Sequence, residues 1–122
     1  LYMGRVACIG CHGAEGTGLP NLGPPLDESD WVNGDTKRLA KALLHGLQGP
    51  ITVSGQRYTP PAAMPGLSMN PTVSDRDIAD ILTFIRHAWS NRSGKMEESF
   101  IKESRETTRK QGGVPYTEKE LN

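Results

Sequence analysis

The chain has 122 residues, enough for one domain with a modest core. Its 14 basic and 14 acidic residues give a formal net charge of zero, which favours neither nucleic acid nor a charged membrane as partner. No apolar run reaches the length needed for direct membrane insertion, and only 6% of residues are aromatic. Gly and Pro are frequent before residue 71, so the core needs apolar surface from another source. Acidic residues gather at 15–30 (Glu15, Asp27, Glu28, Asp30) and basic ones at 37–57 (Lys37, Arg38, Lys41, Arg57), a pattern read as solvated loops and helix faces. No signal peptide is recognisable, and Leu1-Tyr2 is already in helical pattern, so a mature product or an excised domain is expected.

Residues 1–10 read as a short helix with Leu1, Tyr2 and Val6 inward, running into Cys8-Ile9-Gly10-Cys11-His12. Two thiols three positions apart can add to the two vinyl groups of one haem, and the adjacent histidine is then placed to bind the iron. A zinc site would want a second ligand pair, and the chain has only these 2 cysteines. A redox dithiol would want a βαβ setting, whereas Gly13, Gly16, Gly18 and Pro20 follow. The motif therefore reads as covalent attachment of one haem c.

Residues 13–34 read as loop, with a turn at Asn33-Gly34. Asp35 or Thr36 caps a helix expected to reach Leu47, on the four-residue recurrence of Leu39, Leu43 and Leu47. Gly49-Pro50 stops it. Ile51-Thr52-Val53 and Gln56-Arg57-Tyr58 flank Ser54-Gly55 and read as a small β-hairpin. Residues 59–71 are Pro-rich and read as irregular. Ser74 and Asp77 form a capping pattern before a helix over residues 75–89, whose apolar stripe is Ile78, Ile81, Leu82, Ile85 and Trp89. That stripe is expected to pack on the N-terminal segment and the haem edge.

After Ser90 the composition turns polar. Residues 95–110 suit a helix, with Met96, Phe100 and Ile101 as its sizeable apolar groups, either facing solvent or laid on the domain by a narrow edge. Gly112-Gly113 reads as a hinge, and Thr117 with Glu120 as a capping box.

His12 fills one axial position of the iron. For the other, Met64 is preferred because Pro65-Gly66 lets its loop turn tightly and present a thioether; Met69 in the same loop is the competitor. Met3 and Met96 read as packing groups, His45 as a surface or partly buried side chain, and His87 as a cation near a helix C-terminus. A ligating histidine donates its second ring N–H to a fixed acceptor, for which the Pro24 carbonyl is the choice. Trp31, Arg57 and Tyr58 are the polar-tipped candidates for the haem propionates.

The order of haem motif, Gly-Pro loop, Met64-Pro65-Gly66 and closing amphipathic helix resembles a class I c-type cytochrome domain over about residues 1–91. The resemblance implies an all-α cytochrome c fold around one covalently bound haem. It also implies His12 and Met64 as axial ligands, Cys8 and Cys11 as thioether anchors, and Pro24 as the histidine-orienting proline. With the small hairpin and a polar helical C-terminal extension at 92–122, this is the expected architecture. The run from Trp31 through Gly46-Leu47-Gln48-Gly49-Pro50-Ile51 to Trp89-Ser90-Asn91 is similar to cytochrome c domains fused to bacterial dehydrogenase-like multidomain redox proteins. One-electron transfer with redox protein partners or fused redox domains, in the periplasm or otherwise outside the bacterial cytoplasm, is the function implied. A haem-based small-ligand sensor or peroxidase-like enzyme is the alternative. The first helix is shorter than is usual for that family.

Overall fold

The computed structural model describes residues 12–13, 15–18, 23–59, 63–70, 72–112 and 114–121. The helix expected over 1–10, with Cys8 and Cys11, lies outside the described residues. The first complete element falls where only loop was expected. Ser29 accepts from the backbone N–H groups of Trp31 and Val32 and starts a single helical turn, α1 (Asp30–Asn33), that buries both of those side chains. Four residues are too few to show a helical period, so tertiary burial decides this element.

Helix α2 (Thr36–His45) starts on Asp35, whose carboxylate caps Lys37 and Arg38. It ends two residues before the expected Leu47, because Gly46 takes φ 89° and turns the chain out of the helix. Gly46–Leu47 then forms β1, which pairs antiparallel with β4 (Met64–Pro65): Gly46 faces Pro65 and Leu47 faces Met64. Regular pairing thus interrupts the segment 59–71 that reads as irregular. A two-residue edge strand tolerates a proline.

The hairpin of β2 (Ile51–Val53) and β3 (Gln56–Tyr58) is as read from the sequence, with Ile51 opposite Tyr58 and Val53 opposite Gln56. Ser54 and Gly55 both have positive φ, 51° and 83°, as a tight two-residue turn between right-twisted strands requires.

Helix α3 (Asp75–His87) carries a reciprocal capping box, Ser74 bonding the Asp77 N–H and Asp77 the Ser74 N–H. Trp89 lies beyond the helix, with φ 56°, so it leaves the apolar stripe of Ile78, Ile81, Leu82 and Ile85. Among the described residues that stripe packs chiefly on α4 (Glu98–Thr107). Ile101 of α4 and the preceding Met96 are buried in the same core as Leu39, Leu43 and Leu44 of α2, with Phe100 against its edge. The polar helix is therefore laid on the domain by its one apolar edge.

A 3-10 turn (Arg109–Gln111) follows, then α5 (Glu118–Leu121), capped reciprocally by Thr117 and Glu120. Leu121 joins a second, smaller cluster of Trp31, Ile51 and Val53, fringed by Leu47 and Tyr58. Of the Gly112-Gly113 pair read as a hinge, Gly112 has φ 58° and its carbonyl accepts from His45 Nδ1 at 2.7 Å; Gly113 lies outside the described residues. His45 itself is 2% exposed, more deeply buried than its polar character suggests, because the C-terminal segment closes over it. No helix among the described residues is long and apolar enough to cross a membrane.

Candidate functional site

His12 Nδ1 lies 2.7 Å from the Pro24 carbonyl oxygen. A carbonyl only accepts, so Nδ1 carries the proton and the Nε2 lone pair is left for an electrophile. Burial pushes the His12 imidazolium below its usual pKa, and the bond to Pro24 offsets this only in part. The neutral ring is the form a metal requires. This donor is chemically suited to one axial position of a haem iron.

The loop around His12 is closed by backbone bonds. The His12 carbonyl accepts from Gly18, and the Gly16 carbonyl accepts from both Leu26 (2.6 Å) and Asp27 (2.8 Å). Two glycines permit this approach: a Cβ on Gly18 would stand 2.7 Å from the Gly23 carbonyl, and one on Gly16 would stand 2.5 Å from the Trp89 ring. Trp89, having left the helix, thus presses its indole on the loop that follows the haem motif.

Asn91 completes the support and is 2% exposed. Its amide donates to the carbonyls of Leu26 and Ile85 and accepts from the Glu28 N–H and Asn33. A satisfied buried amide of this kind joins α1, the Pro24 loop and the end of α3. Nothing in the sequence marks Asn91 for this role, because a polar residue just past a helix C-terminus carries no periodic signal.

Met64 is half-buried on β4, opposite Leu47, and packs against the main core. Beyond it the chain stays strapped to the end of α2, with Leu67 N–H donating to Leu43 (3.0 Å) and Ser68 N–H to Leu44 (2.7 Å). At Gly66 a Cβ would stand 2.6 Å from His45 Cα, so only glycine permits this approach. Met69, the competing thioether, is 71% exposed.

The three candidates for the propionates come together on the small second cluster. Trp31 spends its one donor on the Thr52 carbonyl (2.9 Å), and the Arg38 guanidinium lies 3.9 Å over its ring. Arg57 bonds Thr52 Oγ1 and Glu118, and Tyr58 is half-buried beside Ile51. The Trp31 tip is thus already partnered, and Arg57 is shared with the C-terminal segment. The Thr52 N–H, with Arg57 adding to it, holds Glu118 below the usual carboxylate range against an opposing effect of burial.

The sequence model of the family described as Cytochrome c matches residues 2–89. Cytochrome c-552 of Thermus thermophilus is 35% identical over 88 residues, covering 69% of this chain and 63% of that protein. The cytochrome c subunit of the quinone alcohol dehydrogenase of Gluconobacter oxydans is 35% identical over 102 residues, covering 82% of this chain and 20% of the subunit. The corresponding subunit of Gluconacetobacter polyoxogenes is 34% identical over 88 residues, 18% of its length. The chain therefore spans less than two thirds of the length of these curated relatives.

Proposed function

This chain belongs to the cytochrome c family, a family that transfers electrons through covalently bound haem c, and on that premise we propose that it carries single electrons through one six-coordinate haem. Cys8 and Cys11 are the thioether anchors and His12 and Met64 the axial ligands. The observation that carries this reading is the His12–Pro24 bond, which fixes the tautomer and leaves the Nε2 lone pair for the iron.

When bound, the haem supplies the redox-active iron, and a thioether ligand favours its ferrous state and raises its potential. The chain's own residues do the rest. Pro24 orients His12, Trp89 covers Gly16, and the pairing of β4 with β1 holds Met64 near the core. Were His12 and Met64 both to hold the iron, it would keep no open site, as suits an electron carrier rather than a substrate-transforming enzyme. Arg57 and Tyr58 would face the propionates, with Trp31, whose one donor is held by the Thr52 carbonyl, packing behind them.

Residues 1–91 then make up the electron-transfer domain and residues 92–122 its extension. Relatives named as cytochrome c subunits of a quinone alcohol dehydrogenase support a redox protein or a fused redox domain as partner. Attachment of haem c supports a periplasmic or otherwise exported location.

The test is the visible spectrum of the holoprotein, oxidised and reduced, with and without carbon monoxide, beside Met64→Ala. The expected wild type has a ferric iron–thioether band and a reduced spectrum unmoved by carbon monoxide. Met64→Ala should lose that band, lower the potential and admit carbon monoxide with the haem still attached. A band that survives Met64→Ala would move the ligand to another residue, Met69 first. A wild type that takes up carbon monoxide would promote a ligand-binding function.

A further inference from the structure

The methionine segment is held from two directions. On one side lies α2, through the β1–β4 pairing and the bonds from Leu67 and Ser68. On the other lies the C-terminal segment. Arg105 donates through Nη1 to the Ser68 carbonyl at 2.7 Å and through Nε to Asp75 at 2.7 Å. His45 Nδ1 donates to the Gly112 carbonyl, its Nε2 lies 2.7 Å from Thr108 Oγ1, and Ser68 Oγ lies 3.4 Å from the same Gly112 oxygen.

Tyr116 then runs alongside β1. It forms a parallel bridge to Leu47, donates its N–H to Gly46 and accepts from Gln48, while its ring meets His45 edge-on at 5.7 Å. Leu47 thus has Met64 across one edge and Tyr116 across the other.

We propose that residues 98–112 and 114–116 brace the methionine strand, with Arg105 and His45 as positioning residues that keep the sixth iron position closed to exogenous ligands. The inference rests on Met64 being the sixth ligand. An exogenous ligand binds only the fraction of molecules in which the thioether is away from the iron. Fixing the strand before the bond forms removes the ordering cost from that bond and keeps this fraction small. A segment outside the 2–89 family match would in this way set ligand access at the iron.

Full-chain holoprotein carrying Arg105→Gln, His45→Gln or, as control, Glu118→Gln tests this, with Met64→Ala alongside. The ferric thioether band and the carbon monoxide affinity of the reduced protein are read where circular dichroism shows each variant folded. Arg105→Gln and His45→Gln should weaken the band and raise the affinity by about ten-fold or more. Glu118→Gln, which loosens the chain beyond that segment where it meets the hairpin, should match wild type.

Arg105 is partly exposed, its side chain at 27%, so it decides the matter even where a buried His45 variant fails to fold. If Arg105→Gln melts earlier yet keeps wild-type band and affinity while Met64→Ala loses the band, the brace is refuted and methionine ligation stands. If Met64→Ala keeps the band, both fall together.

Discussion

His12 takes its support from a carbonyl 12 residues away in its own loop, and that loop is closed by its own glycines and by Trp89 and Asn91. Met64 instead sits on a two-residue strand whose supports come from α2 and, through Ser68, from Arg105, a residue 37 positions beyond Ser68. One side of the candidate iron site is assembled mainly from short loop closures. The other is assembled from segments far apart in the chain. Short loops cost little closure entropy, so beyond its own loop the His12 side draws on Trp89 and Asn91; the Met64 side needs the main core and the C-terminal segment formed around it.

The largest test of that contrast is Ile101→Ala. Ile101 is fully buried and anchors α4 to α3 and α2, so its truncation should cost about 2–5 kcal/mol in a denaturant titration. The loss should be accompanied by carbon monoxide binding, because the segment that supports Ser68 is loosened. Asn91→Ala comes next. It removes the amide that joins Leu26, Glu28, Asn33 and Ile85, and should cost about 2 kcal/mol by leaving buried groups unpaired. Its carbon monoxide affinity should stay at the wild-type value, since the Met64 side is untouched. Equal ligand access in both variants would show that the two sides are not independent.

The smallest expected effect is at Glu118. Its carboxyl lies below the ordinary range, chiefly through the Thr52 N–H, so its folded pKa is lower than its unfolded one. The bond therefore contributes fully above the ordinary carboxylate range and is lost as pH falls through the lowered value. Thermal melts should show wild type losing stability on acidification more steeply than Glu118→Gln. Identical slopes would mean that the α5 contact with the hairpin adds nothing measurable.

Cytochrome c identity was legible in Cys8-Ile9-Gly10-Cys11-His12, and the helices on Asp35 and Ser74 were legible from their caps and leucine or isoleucine spacing. The hairpin was legible from Ser54-Gly55 between two short extended runs. The single turn at Asp30–Asn33, the β1–β4 pairing, the departure of Trp89 from its helix and the burial of His45 were not. Each of these depends on burial or on a partner distant in sequence; the turn at Asp30–Asn33 has a local cap in Ser29 but is too short to show a period, and the others leave no local signal.

The sequence by itself determined the family, the haem chemistry of that family and the main helices, because caps, turn residues and thiol spacing act within a few residues of one another. Only the tertiary structure decided that the polar C-terminal segment closes over His45 and bonds the chain just after Met64. A narrow apolar edge built on Met96, Phe100 and Ile101 specifies that something must be covered. Which surface it covers depends on the shape left between α2, α3 and the methionine strand once they have packed.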